Sequence, residues 1–148
     1  DEGAIRIVRE EILARTTLLT PNLREAELLI GGALPDDPVE AAIRVLELGP
    51  EAVLLTGGHR SGPEVVDAYA DRKGTTRAWS QPRLSGDPHG TGCILSSAIA
   101  AGWAQGLPPV ESIEHAIDFV RASIRSAVSL APDLPPTLAT PEGSWLAR

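Results

Sequence analysis

Two short runs restrict this chain more than anything else in it: "TTLLT" at 16–20 and "AVLLT" at 52–56. Neither alternates polar with apolar residues, so a strand built from either has no face to offer water and belongs in a sheet covered on both sides. Each run ends at a breaker, Pro21 after the first and Gly57 with Gly58 after the second. Helical spacing fills the sequence around them. Ile5, Val8, Ile12 and Leu13 stand at i, i+3, i+7 and i+8, predicting a one-sided helix over residues 3–15. "NLREAELLIGG" opens on Asn22 with Glu25 three residues later and closes on Gly31 and Gly32, a capping box and a glycine stop. "PVEAAIRVLELG", 38–49, has Pro38 at its start, Val39, Ala42, Ile43 and Leu46 on one face, and Gly49 at its end.

Further along, residues 64–82 read as a hairpin around "RKG", with Arg72 and Lys73 at a solvated tip. A long Ala-rich helix follows Gly92 to about Gly106, and another begins at Pro108 and Pro109. Its stripe of Val110, Ile113, Ile117, Val120, Ile124 and Val128 is expected to pack in the core. The last eighteen residues hold four prolines and no periodicity, and residues 131–148 are expected to be an extended surface tail. Helices interleaved with buried strands predict an α/β fold with a mostly parallel sheet. Ligands in such sheets sit beyond the carboxyl ends of the strands. The loops "TPNLRE", "TGGH" and "HGTGC" are the candidates for those ends, and they are expected to line one crevice.

Composition closes off several alternatives. At 148 residues the chain is one domain, or one lobe of a larger one. With 43% apolar but only 3% aromatic residues, its core must be aliphatic. A net charge of −7 argues against nucleic acid as a main partner. No apolar run approaches the ~20 residues of a membrane helix. No signal peptide is visible, and a lone Cys93 cannot form an internal disulfide, so a reducing cytoplasm is expected. Methionine is missing altogether, position 1 included, which predicts a trimmed or processed piece of a longer protein.

The chemistry concentrates in "DPHGTGCILSSAIAAGWAQG", 87–106. Gly90 and Gly92 free the turn into a helix to take φ > 0 and to gather backbone N–H groups at one point. With the helix dipole behind them, such groups make an anion site, and Thr91 adds a hydroxyl donor. The bland reading is a helix start that uses glycine for tight packing. It is not a Walker loop, because no G-K-[ST] follows, and the dinucleotide fingerprint lacks its third glycine.

These residues resemble the signature of the hydroxymethylpyrimidine/phosphomethylpyrimidine kinases of thiamine biosynthesis, members of the ribokinase-like superfamily. "LLTPNLREAELLIG" and "AVLLTGGH" resemble that family's other two segments in the same order, and the likeness runs from near residue 1 to about residue 130. The resemblance implies a three-layer α/β/α fold of which residues 1–148 are the nucleotide-binding C-terminal part, the pyrimidine-binding N-terminal part lying outside the sequence. It implies ATP-dependent phosphorylation of hydroxymethylpyrimidine and its monophosphate, with Mg²⁺; half of such a sheet leaves an unpaired edge and uncovered apolar surface, so a homo-oligomer is expected.

Site roles follow from the same likeness. Gly90, Thr91, Gly92 and Cys93 would hold the transferring phosphoryl, with Cys93 standing where sugar kinases of the superfamily carry an aspartate base. A helix N terminus favours thiolates, which makes a base possible, while the bland alternative is a small buried residue. Asn22 would lie near the phosphates and Glu25 would help place Mg²⁺, although the capping box alone accounts for both. Thr56, Gly58 and His59 would contact nucleotide. The family often carries lysine at the Thr56 position, and Arg60 is a candidate substitute. His89 could touch phosphate, and Asp87 reads as a turn residue. Three spread histidines and one cysteine make no zinc pattern. A pyridoxal kinase of the same superfamily would share every one of these motifs. A non-catalytic nucleotide-binding or dimerisation module would share most of them.

Overall fold

The computed structural model describes residues 2–58, 61–85, 90–127 and 137–139. The chain divides into two compact units, Asp1–Arg83 and Leu84–Arg148.

In the first unit, α1 (Glu2–Ile7) runs on as a π-turn, Val8–Ile12, and a 3-10 turn, Leu13–Arg15. The expected single helix over 3–15 is therefore interrupted. A π-turn inserts one residue into the helical repeat and rotates everything after it. The predicted apolar stripe is split: Leu13 is fully buried, whereas Ile12 is half exposed. Next come α2 (Leu23–Ile30) and α3 (Pro38–Leu46), whose starts follow the sequence signals. Asp37 caps α3 by accepting from the amides of Val39 and Glu40, both at 2.9 Å. Gly31 ends α2 in the left-handed region at φ 78°, and Arg9 donates from Nε to the Leu29 carbonyl in the last turn of that helix.

The sheet consists of β1 (Ala52–Leu55), β2 (Glu64–Asp71) and β3 (Thr76–Pro82), in that spatial order. Both ladders are antiparallel, with Leu54 opposite Tyr69 and Ala68 opposite Ala78. The parallel pairing expected of the fold is present as a thin seam on the other edge of β1. There Leu54 donates to the Leu19 carbonyl at 2.8 Å and Thr56 to the Pro21 carbonyl at 2.9 Å. "TTLLT" is thus not the fully buried strand that its composition predicts. Leu18 and Leu19 are only half-buried, because among the described residues this segment has a neighbour on one side alone.

All four β1 residues are buried, as a run without alternation requires. One face packs Val53 and Leu55, with Ala68 and Ala70 of β2, against Ala26 of α2 and Ala41, Ala42 and Val45 of α3. Alanines at the contact let the helices lie close to the sheet, and Leu19, Leu23, Val39 and Leu46 close the edges of the cluster.

The second unit is built on α4 (Thr91–Ala104) and α5 (Pro109–Arg125), which pack against each other. Ile113, Ile117 and Val120 of the predicted stripe are buried, with Ala116 and Ser112 beside them. Buried Ser123 satisfies its hydroxyl on the Phe119 carbonyl of its own helix at 2.9 Å. Val128, and the tail apart from Thr137–Ala139, lie outside the described residues.

Candidate functional site

In the first unit the parallel seam brings Asn22 and Thr56 side by side. The Asn22 side chain accepts from the Glu25 amide at 3.0 Å, and Glu25 Oε2 accepts from the Asn22 amide at 2.9 Å. The capping box is complete, so both residues serve the start of α2. It occupies one of the two Glu25 carboxylate oxygens on an exposed side chain, which leaves Oε1 available to water or a cation. Thr56 spends its hydroxyl on the Pro21 carbonyl, at 3.4 Å.

The glycines after β1 are not equivalent. A Cβ built on Gly57 would stand 2.1 Å from the Val66 carbonyl oxygen, so only glycine allows this approach of β1 to β2. Its amide is held by Asp67 Oδ1 at 2.9 Å. Gly58, in contrast, is exposed, and a Cβ there would meet nothing within 4 Å. Its carbonyl accepts from Arg83 Nη1 at 2.8 Å. Sequence reasoning missed both tethers. The signal for Asp67 was an aspartate in the interior of a strand, where that residue is uncommon. His59 and Arg60 lie outside the described residues, as do Asp87 and His89.

In the second unit Gly90 is the N-cap of α4, at φ 90°, in the left-handed region the glycine spacing predicts. No side chain caps this helix among the described residues. The first amides of any α-helix have no partner inside the helix itself. Among the described residues, a Cβ on Gly92 would meet nothing within 4 Å. Cys93 is exposed, which removes the reading of a small buried residue. Thr91 is half-buried beside it. A cavity of about 350 Å³ between α4 and α5 lies elsewhere on these helices; Ile94, Ala98 and Phe119 line it, and Cys93 does not.

The titrating pair of the first unit sits in the hairpin, away from these loops in sequence. Burial pushes the Tyr69 hydroxyl well above its ordinary range, reinforced by its bond and charge interaction with Asp71. Burial opposes ionisation of Asp71, but hydrogen bonds from the Thr75 and Lys73 amides and the Tyr69 hydroxyl outweigh it and hold that carboxyl below the usual range. Arg72 is not simply solvated as its position at a turn suggests. It donates from Nε to the Pro50 carbonyl at 2.8 Å and from Nη2 to the Gly49 carbonyl at 2.7 Å. Among the described residues no group of three His, Cys, Asp or Glu side chains could hold a metal ion, and no helix is long and apolar enough to cross a membrane.

The sequence model of the phosphomethylpyrimidine kinase family matches residues 1–137. The chain belongs to that family. The hydroxymethylpyrimidine/phosphomethylpyrimidine kinase of Rhizobium meliloti is 38% identical over 127 residues, which cover 84% of this chain and 48% of the relative. The thiamine biosynthesis bifunctional protein ThiED of Geobacter sulfurreducens is 41% identical over 132 residues, 88% of this chain and 27% of the relative. Among solved structures, the ADP complex of Bacillus subtilis pyridoxal kinase superposes with a TM-score of 0.82 at 30% identity, over 93% of this chain and 55% of that one. The fold is therefore the ribokinase-like α/β fold, and this phosphomethylpyrimidine kinase family chain spans about half the length of relatives such as the Rhizobium protein.

Proposed function

We propose that this chain is the nucleotide-binding part of a cytoplasmic, homo-oligomeric kinase that transfers the γ-phosphoryl of ATP to hydroxymethylpyrimidine and to its monophosphate. The accepting oxygen, the hydroxyl oxygen of the free pyrimidine or a phosphate oxygen of its monophosphate, bonds to the γ-phosphorus as the bond to the β,γ-bridging oxygen breaks, and ADP leaves; in the first transfer the hydroxyl also gives up its proton. Phosphoryl transfer of this kind depends on positioning and charge stabilisation rather than on covalent work by the protein. The amides from Gly90 to Cys93 would hold the equatorial oxygens, with the Thr91 hydroxyl beside them. Cys93 would orient the substrate hydroxyl or take its proton. Asn22, Thr56, Gly58 and His59 would serve the nucleotide phosphates. The observation that supports this reading most is Gly92: among the described residues no side chain caps this helix start, and a Cβ on its second glycine would meet nothing within 4 Å.

Mg²⁺ keeps most of its waters and needs few carboxylates, so an exposed Glu25 with one committed oxygen fits a water-mediated role. The ion, when bound, would neutralise phosphate charge. Calorimetry of the full chain with MgATP and MgADP tests the proposal. Micromolar to submillimolar binding is expected, and no binding of either nucleotide rejects it.

A second reading, a pyridoxal kinase, is favoured by the 0.82 TM-score to the Bacillus subtilis pyridoxal kinase. Turnover of hydroxymethylpyrimidine against pyridoxal by the full-length protein separates the two, and nucleotide binding without turnover of either marks a non-catalytic module.

A further inference from the structure

The residue that most shapes the turn after β1 belongs to no motif. Arg83 directly follows β3, and its main-chain amide donates to the Pro63 carbonyl at 2.7 Å. Its guanidinium then reaches across the same turn. Nε donates to the Gly62 carbonyl at 2.9 Å, Nη1 to the Gly58 carbonyl at 2.8 Å, and Nη2 reaches the Glu64 carbonyl at 3.5 Å. Exposed turn carbonyls can be satisfied by water. A rigid fork on several of them at once instead fixes their relative directions, which a flexible point charge cannot do. Gly58 and Gly62 are the residues that most need such restraint. A Cβ on either would meet nothing within 4 Å, and Gly62 sits at φ 129°. Asp67 of β2 holds the neighbouring Gly57 amide at 2.9 Å. The Gly57–Gly58 backbone is thus clamped between a carboxylate on β2 and a guanidinium at the end of β3.

We infer that Arg83 is a positioning residue for nucleotide binding: it presets the Gly57–Gly58 backbone for a phosphate group without touching the reacting atoms. The inference rests on the phosphate role proposed above for Gly58. The test compares wild type, Arg83→Lys and Arg83→Ala in the full-length protein. Amide hydrogen exchange over residues 57–64, the MgADP dissociation constant, and the MgATP KM and kcat are measured together. Both variants are expected to exchange faster over that segment and to bind MgADP about tenfold more weakly. The MgATP KM should rise in step, with kcat, the KM of the hydroxymethyl substrate and the melting temperature nearly unchanged. Full affinity in Arg83→Lys would mean that charge alone suffices, and unchanged exchange in Arg83→Ala would mean that no clamp exists; either result overturns the inference. So would a parallel loss of melting temperature and of affinity for every ligand. A wild-type chain that binds no MgADP, while the variants still exchange faster, sinks the nucleotide reading itself and leaves Arg83 a purely structural clasp.

Discussion

Gly57 and Gly92 differ in what surrounds them. Gly57 is glycine because the Val66 carbonyl occupies the space of a side chain, so Gly57→Ala overpacks the β1–β2 contact. A loss of ~1–3 kcal/mol is expected, read as a lower denaturant midpoint. Gly92→Ala meets no neighbour and places a better helix former in α4, so its stability should hold or rise by ~0.5–1 kcal/mol. Its nucleotide affinity should nonetheless fall, because the new methyl group stands where a phosphate must approach the amides. A Gly92→Ala chain with unchanged MgATP binding removes the anion role from this turn. For exposed Cys93, alanine, serine and aspartate variants of the full-length protein are compared in turnover. Equal rates in all of them end its assignment to the substrate hydroxyl.

The start of α2 and the hairpin give predictions that belong to whole elements. Asn22→Asp keeps a side-chain acceptor for the Glu25 amide, and Glu25→Gln keeps the reciprocal bond, since both substitutes serve capping boxes. The melting temperature should therefore stay within ~2 °C in either variant, a change of under about 1 kcal/mol for a chain this size. Binding should still weaken, through a carboxylate near phosphate in the first and a lost magnesium partner in the second. Retained binding in both would leave the capping box as their whole role. In the hairpin, Asp71 is held below the usual carboxylate range, so its contribution is present above the unfolded value of about 3.9 and fades as pH falls through the lower folded value. Tyr69 is raised, so its contribution is present below about pH 10 and is lost as pH climbs beyond it. Thermal melts across pH should show Asp71→Asn flattening the acid limb and Tyr69→Phe the alkaline one.

At the scale of the whole molecule, the proposed function requires a chain of net charge −7 to bind a polyanion. Bound magnesium removes much of that repulsion, so MgADP should bind at least about tenfold tighter than ADP in excess EDTA, measured by calorimetry. Much of the framework was readable beforehand because it is local. Asn22 with Glu25, Pro38, the 64–82 hairpin and the glycine-led start of α4 are set by neighbours within a few positions, and each stands as its residues imply. The apolar run before Pro21 misled because full burial of a strand depends on what flanks it, and its own composition cannot say how many neighbours it has. The π-turn at Val8–Ile12 likewise redirected a helical stripe that spacing alone had placed on one face. The sequence by itself determined where helices begin, where the chain turns and which glycine opens α4 in the left-handed region, since those follow from side-chain capping and from φ. Only the tertiary structure decided which glycine is crowded and which is open, and that Asp67 and Arg83 hold one turn between them, because those facts rest on contacts between residues far apart along the chain.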